Sequence, residues 1–197
     1  METPDLPADP MKLFSEWLQD ALLHQVQEPY AMTVATVDSE AMPHVRVVYL
    51  REVLEEGFVF YTNYRSNKAQ QLLENPKVAL KLHWPERDHQ IRINGLAEKA
   101  PEELSDAYFE GRARESQLGA WASPQSSAIE NRDWLISELE SVRKRFEGKK
   151  VTRPPHWGGF LIRPLRIEFW TGHSARLHDR FVFIFENERW QKQRLAP

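Results

Sequence analysis

The 197-residue sequence contains no cysteine. Disulfides and thiolate metal sites are thereby excluded, and a reducing cytoplasm is the expected setting. The opening METPDLPADPMKLF has no basic segment followed by an apolar one, so no secretory signal is expected. No run approaches the roughly 20 apolar residues needed to span a bilayer, and no membrane partner is expected. Nor is there a cationic excess. The formal net charge is −3, which disfavours a general nucleic-acid binder, since neutralising phosphates needs a basic surface. Anions must therefore be held by local clusters. The glycine-rich nucleotide motifs, the H-E-x-x-H helix and the G-x-S-x-G elbow are all missing. His24, His44, His83, His89, His156, His173 and His178 show no metal-ligand spacing, so no metal is expected.

What is present is an ordinary globular balance, 41% hydrophobic and 28% charged, with an ample supply of seven Trp and ten Phe. Such a supply suits a well-packed core, a large interface or walls for a flat aromatic ligand. Residues 1–9 read as an extended, Pro- and Asp-rich arm. From Pro10 to Gln27 apolar residues recur at helical spacing. The period then changes: 31–38, 43–51, 57–63, 77–84 and 90–99 alternate as strands. SNKAQQLLENP between the third and fourth reads as a short helix capped by Ser66. A helical block follows from Ala100, with a longer helix over 131–148, and TRPPHWGG reads as a loop. Strands return at FLIRPLRIEFW, ARLHDRFVFIF and RWQKQRL. The pattern predicts a single α+β domain over 1–197, built on an antiparallel barrel or sandwich.

Several clusters have the chemistry of an anion site, each with a plainer alternative. RVVYLR sets Arg46 and Arg51 at the ends of an apolar strand; these are otherwise two solvated strand ends. Lys68 lies in the first turn of a helix, where free backbone N–H groups favour anions. Were one helix to run through them, Tyr108, Arg112 and Ser116 would advance by only ~40° each and line a single stripe suited to a phosphate dianion. Gly111 interrupts that stripe. Period two through RLHDR places Arg176, His178 and Arg180 on one strand face.

Together DLPADP, RVVYLR, FYTN…SNKAQQL.ENP, Q.R..G.A, YF..R.R.SQ.GAWAS.QSS, WGGF, IEFW.G, RLHDR and the terminal RLAP resemble the pyridoxine/pyridoxamine 5′-phosphate oxidase family, from about Asp5 onward. The resemblance implies an FMN-binding split β-barrel, a homodimer with FMN at the subunit interface, and oxidation of pyridoxamine or pyridoxine 5′-phosphate by O2. It implies FMN contacts from Arg46, Val47, Val48, Tyr49, Leu50, Arg51, Tyr61, Thr62, Asn67, Lys68, Gln90, Gln125, Ser126, Trp170 and Arg180. It implies a substrate-phosphate clamp of Tyr108, Arg112 and Ser116, aided by Arg51, and places Arg176 and His178 over the substrate ring as the catalytic pair. Arg51 stands where the family usually has lysine, exchanging a point charge for a planar fork. Asn67 stands where an arginine is common, with Arg65 two positions earlier, and the longer basic arm of many members is expected to be missing. The rivals are a related FMN oxidase acting on another flat aromatic substrate, of the phenazine-pathway kind, and a non-catalytic flavin or pyridoxal-phosphate binder.

Overall fold

A computed structural model describes residues 6–197; the first five residues of the expected arm lie outside the described residues. Asp9 caps helix α1 (Pro10–Leu23) by accepting the Met11 N–H at 2.9 Å, and Pro10 presets the first turn. The helix stops short of the expected Gln27 because Gln25 and Glu28 both turn through φ 53°. It buries Met11, Leu13, Phe14 and Ala21 against the sheet.

Among the described residues, nine antiparallel strands follow: β1 (Ala31–Val37), β2 (Pro43–Tyr49), β3 (Glu52–Leu54), β4 (Gly57–Asn63), β5 (Lys77–Trp84), β6 (His89–Lys99), β7 (Trp157–Thr171), β8 (Asp179–Glu186) and β9 (Arg189–Arg194). Helix α2 (Asn67–Glu74) joins β4 to β5, while α3 (Glu102–Glu110), α4 (Arg114–Ala122) and α5 (Arg132–Arg145) lie between β6 and β7. The strand order is β2-β1-β5-β6-β7-β4-β3, with β8 and β9 branching from β7.

That order forces curvature. Laid flat, six spacings of about 4.8 Å would separate β2 from β3 by about 29 Å. Yet Leu50 and Arg51 alone join them, a reach of about 11 Å from Tyr49 to Glu52. The sheet therefore curls until its two edges meet, and the Arg51 N–H bonds the Val59 carbonyl at 2.8 Å at the seam. Leu50 is buried there. The split comes from β7. One edge runs beside β6 from Phe160 to Thr171; the other pairs with β4 up to Ile162 and with β8 from Arg166. Between them the register shifts opposite Asn94–Gly95. A Cβ on Gly95 would sit 2.2 Å from the Arg163 carbonyl oxygen, so the bulge admits only glycine. The result is a curled, split half-barrel of α+β class whose core includes Phe14, Phe58, Phe60, Phe160, Phe169 and Phe183.

Four local expectations are corrected. The residues between the expected strands 43–51 and 57–63 are not only a connection but contain β3, and the end of TRPPHWGG is already β7. ARLH, the first part of ARLHDR, is not strand. Ser174–Arg176 form a 3-10 turn with Ala175 and Arg176 at φ 56° and 61°, so β8 begins only at Asp179 and the period-two face linking Arg176, His178 and Arg180 does not exist. Finally, Tyr108 and Ser116 lie on separate helices. Helix α3 ends at Glu110; Gly111 keeps helical angles, and the chain turns extended at Ala113, ψ 138°, before α4.

Candidate active site

At the seam where the edges meet lies a cleft of about 410 Å³. The end of β2 supplies Arg46, Val47, Val48 and Tyr49, and the corner supplies Arg51. Tyr61 and Thr62 come from β4, Lys68 from α2, Tyr108 and Arg112 from α3 and its exit, Gln125 from the turn after α4, and Trp157 from the start of β7.

Its floor is polar and prearranged. Arg46 Nη1 donates to Thr36 Oγ1 at 2.6 Å and to the Val34 and His44 carbonyls at 3.2 Å; Nη2 reaches Gln71 Oε1 at 3.3 Å. Lys68 Nζ lies 3.4 Å from Thr62 Oγ1, which donates to Gln125 Oε1 at 3.2 Å. Burial holds the Arg46 guanidinium below its ordinary range. Burial, and then the neighbouring Arg46, do the same to the Lys68 ammonium. Burial also lowers Arg112, with Arg51 adding to the effect and Tyr108 opposing it.

The wall is aromatic. Tyr61 and Tyr108 stack at 3.9 Å and 5°, Trp157 lies nearly parallel to both, and the Arg112 guanidinium sits 4.6 Å from the Trp157 ring centre. Gly159 makes room behind the stack: a Cβ there would approach Tyr61 Cε1 to 3.0 Å.

Arg46, Arg51, Lys68 and Arg112 form no ion pair with a carboxylate among the described residues. Partly buried cations without counter-charge are costly unless something anionic binds. Two buried polar atoms near this floor and wall also lack partners: Ser66 Oγ, just before α2, and Arg112 Nη1. Ser66 takes the N-cap backbone position without making the side-chain bond expected of it. The donor set and flat wall together fit a planar ligand carrying phosphate, as FMN does.

Of the residues expected at the site, Arg46, Val47, Val48, Tyr49, Arg51, Tyr61, Thr62, Lys68, Tyr108, Arg112 and Gln125 meet in this cleft. Ser116 lines an adjoining cavity of about 310 Å³, which shares Arg112, Gln125 and Trp157 with it. Leu50 is in the core, Asn67 opens α2 without lining the cleft, and Ser126 sits in an exposed turn at φ 71°. A second group gathers on β6, β7 and β8. Gln90 is registered with Trp170, and Trp170 with Arg180. The His178 ring lies 4.7 Å from that of Trp170, and its Nδ1 accepts the His173 N–H at 3.1 Å. Arg176 stands in the turn beside them. Arg180 is engaged internally: Nε and Nη2 bind Glu168 Oε1 at 2.9 and 2.8 Å, and Nη1 binds the Ala196 carbonyl. None of this second group lines the cleft. Sequence reasoning missed Trp157, Thr36 and Gln71 as site residues. Only the WGGF motif pointed toward Trp157; the other two act through Arg46 and leave no local signal.

Fold and site define a split-barrel protein built around an anion-gripping, aromatic-walled cleft. Residues 18–146 match the sequence profile described as pyridoxamine 5′-phosphate oxidase, and residues 157–197 that described as pyridoxine 5′-phosphate oxidase C-terminal dimerisation region. The chain is 47% identical over 193 residues to a pyridoxine/pyridoxamine 5′-phosphate oxidase of Chromohalobacter salexigens, covering 97% of this chain and 90% of that one. It is 44% identical to a Leptospira interrogans protein of the same name, covering 100% and 92%. The crystal structure of PhzG from Burkholderia lata, in complex with tetrahydrophenazine-1-carboxylic acid, superposes with a TM-score of 0.94 at 30% identity, over 100% of this chain and 96% of that one. The chain belongs to the pyridoxine/pyridoxamine 5′-phosphate oxidase family. Among the described residues, no helix is long and apolar enough to cross a membrane.

Proposed function

We propose that this protein is an FMN-dependent oxidase converting pyridoxamine or pyridoxine 5′-phosphate to pyridoxal 5′-phosphate. The alcohol and one O2 give the aldehyde and H2O2; the amine also consumes water and releases ammonia. The observation that carries this reading is the cleft with four cations and no carboxylate partner beside a flat aromatic wall, in a chain 47% identical to a curated oxidase of that name.

The redox chemistry, acceptance of a hydride and delivery of its electrons to oxygen, would be supplied by bound FMN. The protein's part is to bind, orient and desolvate. Arg46 and Lys68, with Tyr61, Thr62, Gln125 and Ser126, would hold the FMN phosphate end, Val47, Val48 and Tyr49 would line the rest of the cofactor site, and Leu50 would support it from the core. Asn67 opens α2 directly before Lys68. Arg51, Tyr108, Arg112 and Ser116 grip the substrate phosphate; Arg112 belongs to both cavities and so links Tyr108 to Ser116 without a continuous helix. Arg176 pins the substrate ring, and His178 orients it. With Nδ1 accepting a backbone N–H, His178 carries its proton on Nε2 when neutral.

Gln90, Trp170, Arg176, His178 and Arg180 lie away from the cleft, so the reading requires a second copy to bring them to it. A homodimer is supported by the profile match over 157–197 and by an apolar row on β2, where Val45, Val47 and Tyr49 are 71%, 64% and 43% exposed. Each protomer is one domain on this reading, because β7 pairs along its length with β6 and β4 from the first profile's span. The test is direct. The purified protein should be yellow, pyridoxine 5′-phosphate added without oxygen should bleach it, and readmitted oxygen should restore the colour with formation of H2O2. A yellow protein that never bleaches refutes the proposed substrate and favours another flat aromatic one or a binding role.

A further inference from the structure

Glu52 opens β3 directly after Arg51, just outside the cleft lining, and its carboxylate has no task in the mechanism above. It accepts the hydroxyl hydrogen of Tyr61. The phenol has one other acceptor in reach, the Leu104 carbonyl at 3.4 Å on α3. Burial, and then this bond to Glu52, hold the Tyr61 phenol far above its usual range, so it remains a donor at any working pH.

The Tyr61 ring is shared by the wall's other two rings: it lies parallel to Tyr108 at 3.9 Å and to Trp157 at 5.5 Å. Trp157 in turn carries Arg112. Stacking fixes the plane of a ring but opposes sliding and in-plane rotation only weakly. A charge-assisted hydrogen bond to a strand-borne carboxylate fixes what stacking leaves free. Without Glu52 the phenol would turn to Leu104, on the same helix as Tyr108, and draw the stack toward α3.

We infer that Glu52 is a positioning residue for the phosphate end of the cleft: through Tyr61 it sets the aim of the Tyr108 hydroxyl and the Arg112 guanidinium. The Tyr108 hydroxyl makes no hydrogen bond among the described residues, and Arg112, which lines the cleft, has its Nη1 buried without one, so neither is committed to a partner within the fold. The inference rests on the proposed reading of the cleft as a phosphate site.

The test compares FMN-loaded wild type, Glu52→Gln and Glu52→Leu. Equilibrium dialysis gives the Kd for pyridoxal 5′-phosphate, alongside FMN content and melting temperature. Glutamine keeps an acceptor for the Tyr61 hydroxyl, whereas leucine fills the space without one. Glu52→Leu should weaken binding about fivefold, the equilibrium value of one net hydrogen bond. Glu52→Gln should stay within about twofold of wild type, and in turnover the loss should fall on KM rather than kcat. Equal weakening in both variants, or none in Glu52→Leu, overturns the inference. Should Glu52→Leu fail to fold, Tyr61→Phe keeps the ring and removes the donor; it should show the same fivefold loss, and wild-type affinity there overturns the inference equally. Because the Kd needs no turnover, a wild type that binds pyridoxal 5′-phosphate but never bleaches refutes the proposed reaction and leaves the role of Glu52 to be judged by binding. A wild type that does not bind it at all refutes the phosphate site and the inference with it.

Discussion

Thr36→Val tests whether the Arg46 floor is built for a ligand. Thr36 is fully buried on β1, and its hydroxyl does two things: it accepts Arg46 Nη1 at 2.6 Å and donates to Gln71 Oε1 at 2.5 Å. Valine matches its shape and removes both bonds. The bond from the guanidinium is of the charge-assisted kind, worth about 1.5–3 kcal/mol, and the neutral one about 0.5–1.5 kcal/mol. Arg46 retains the Val34 and His44 carbonyls, and Gln71 Oε1 retains Arg46 Nη2, so neither partner is stranded. The expected loss in the FMN-free protein is therefore near the lower end of the sum, about 2 kcal/mol in urea unfolding. The guanidinium must then be ordered when FMN binds instead of beforehand, and the FMN Kd should rise about tenfold, or about 1.4 kcal/mol. Titration by quenching of flavin fluorescence measures it, with Thr36→Ser, which keeps the hydroxyl, as the control. If Thr36→Val loses stability but binds FMN like wild type, the Thr36–Gln71 pair is a packing feature and the claim of a prearranged phosphate floor is wrong.

Two further outcomes follow from buried groups outside the cleft. His89 stacks on Trp17 of α1 at 3.8 Å, its Nδ1 is buried without a partner, and burial depresses its pKa below 6.5. Between the folded value and 6.5 the unfolded chain binds the extra proton, so the His89 contribution is intact above about pH 6.5, is lost as pH falls through that window, and levels off below the folded value. Urea unfolding at about pH 8 and about pH 5 should show a smaller acid loss in His89→Gln than in wild type; equal losses refute this. Glu168, with its side chain 4% exposed, receives Arg180 at 2.8 Å, Arg166 at 3.1 Å and Arg92 at 3.7 Å. Glu168→Ala should cost about 3–5 kcal/mol by leaving a half-buried Arg180 without its counter-ion, and a loss below about 1 kcal/mol in urea unfolding would contradict that.

The strands with one buried face were legible. In β5 and β6 buried and more exposed positions alternate along the chain, so period two reads them directly. The same rule failed at RLHDR because positive φ at Ala175 and Arg176 breaks the extended chain, and no Gly or Asn there announces it. Gly111 did announce a break after Tyr108, but its own backbone remains helical. The chain departs at Ala113, an alanine serving as the N-cap of α4, which is a choice no capping preference would suggest. The short strand β3 was hidden in a connection because three residues show no period, and its partner β4 is buried on nearly every side.

The candidate site divides along the same line. Residues that would touch a ligand themselves, such as Arg46, Lys68 and Tyr108, carry the family's motifs and were readable. Thr36, Gln71 and Glu52 work through another side chain, and tertiary packing alone reveals them. Their work also explains how a chain of net charge −3 gathers four cations at one seam. Burial first, and then mutual repulsion, lower Lys68 beside Arg46 and Arg112 near Arg51. Uncharged acceptors, namely the Thr36 hydroxyl, the Gln71 amide and backbone carbonyls, hold Arg46 in place without neutralising it. A carboxylate in their place would have stabilised the empty fold and competed with every phosphate. Where a carboxylate does stand close, as Glu52 does, its bond goes to the Tyr61 hydroxyl and leaves the cations unpaired.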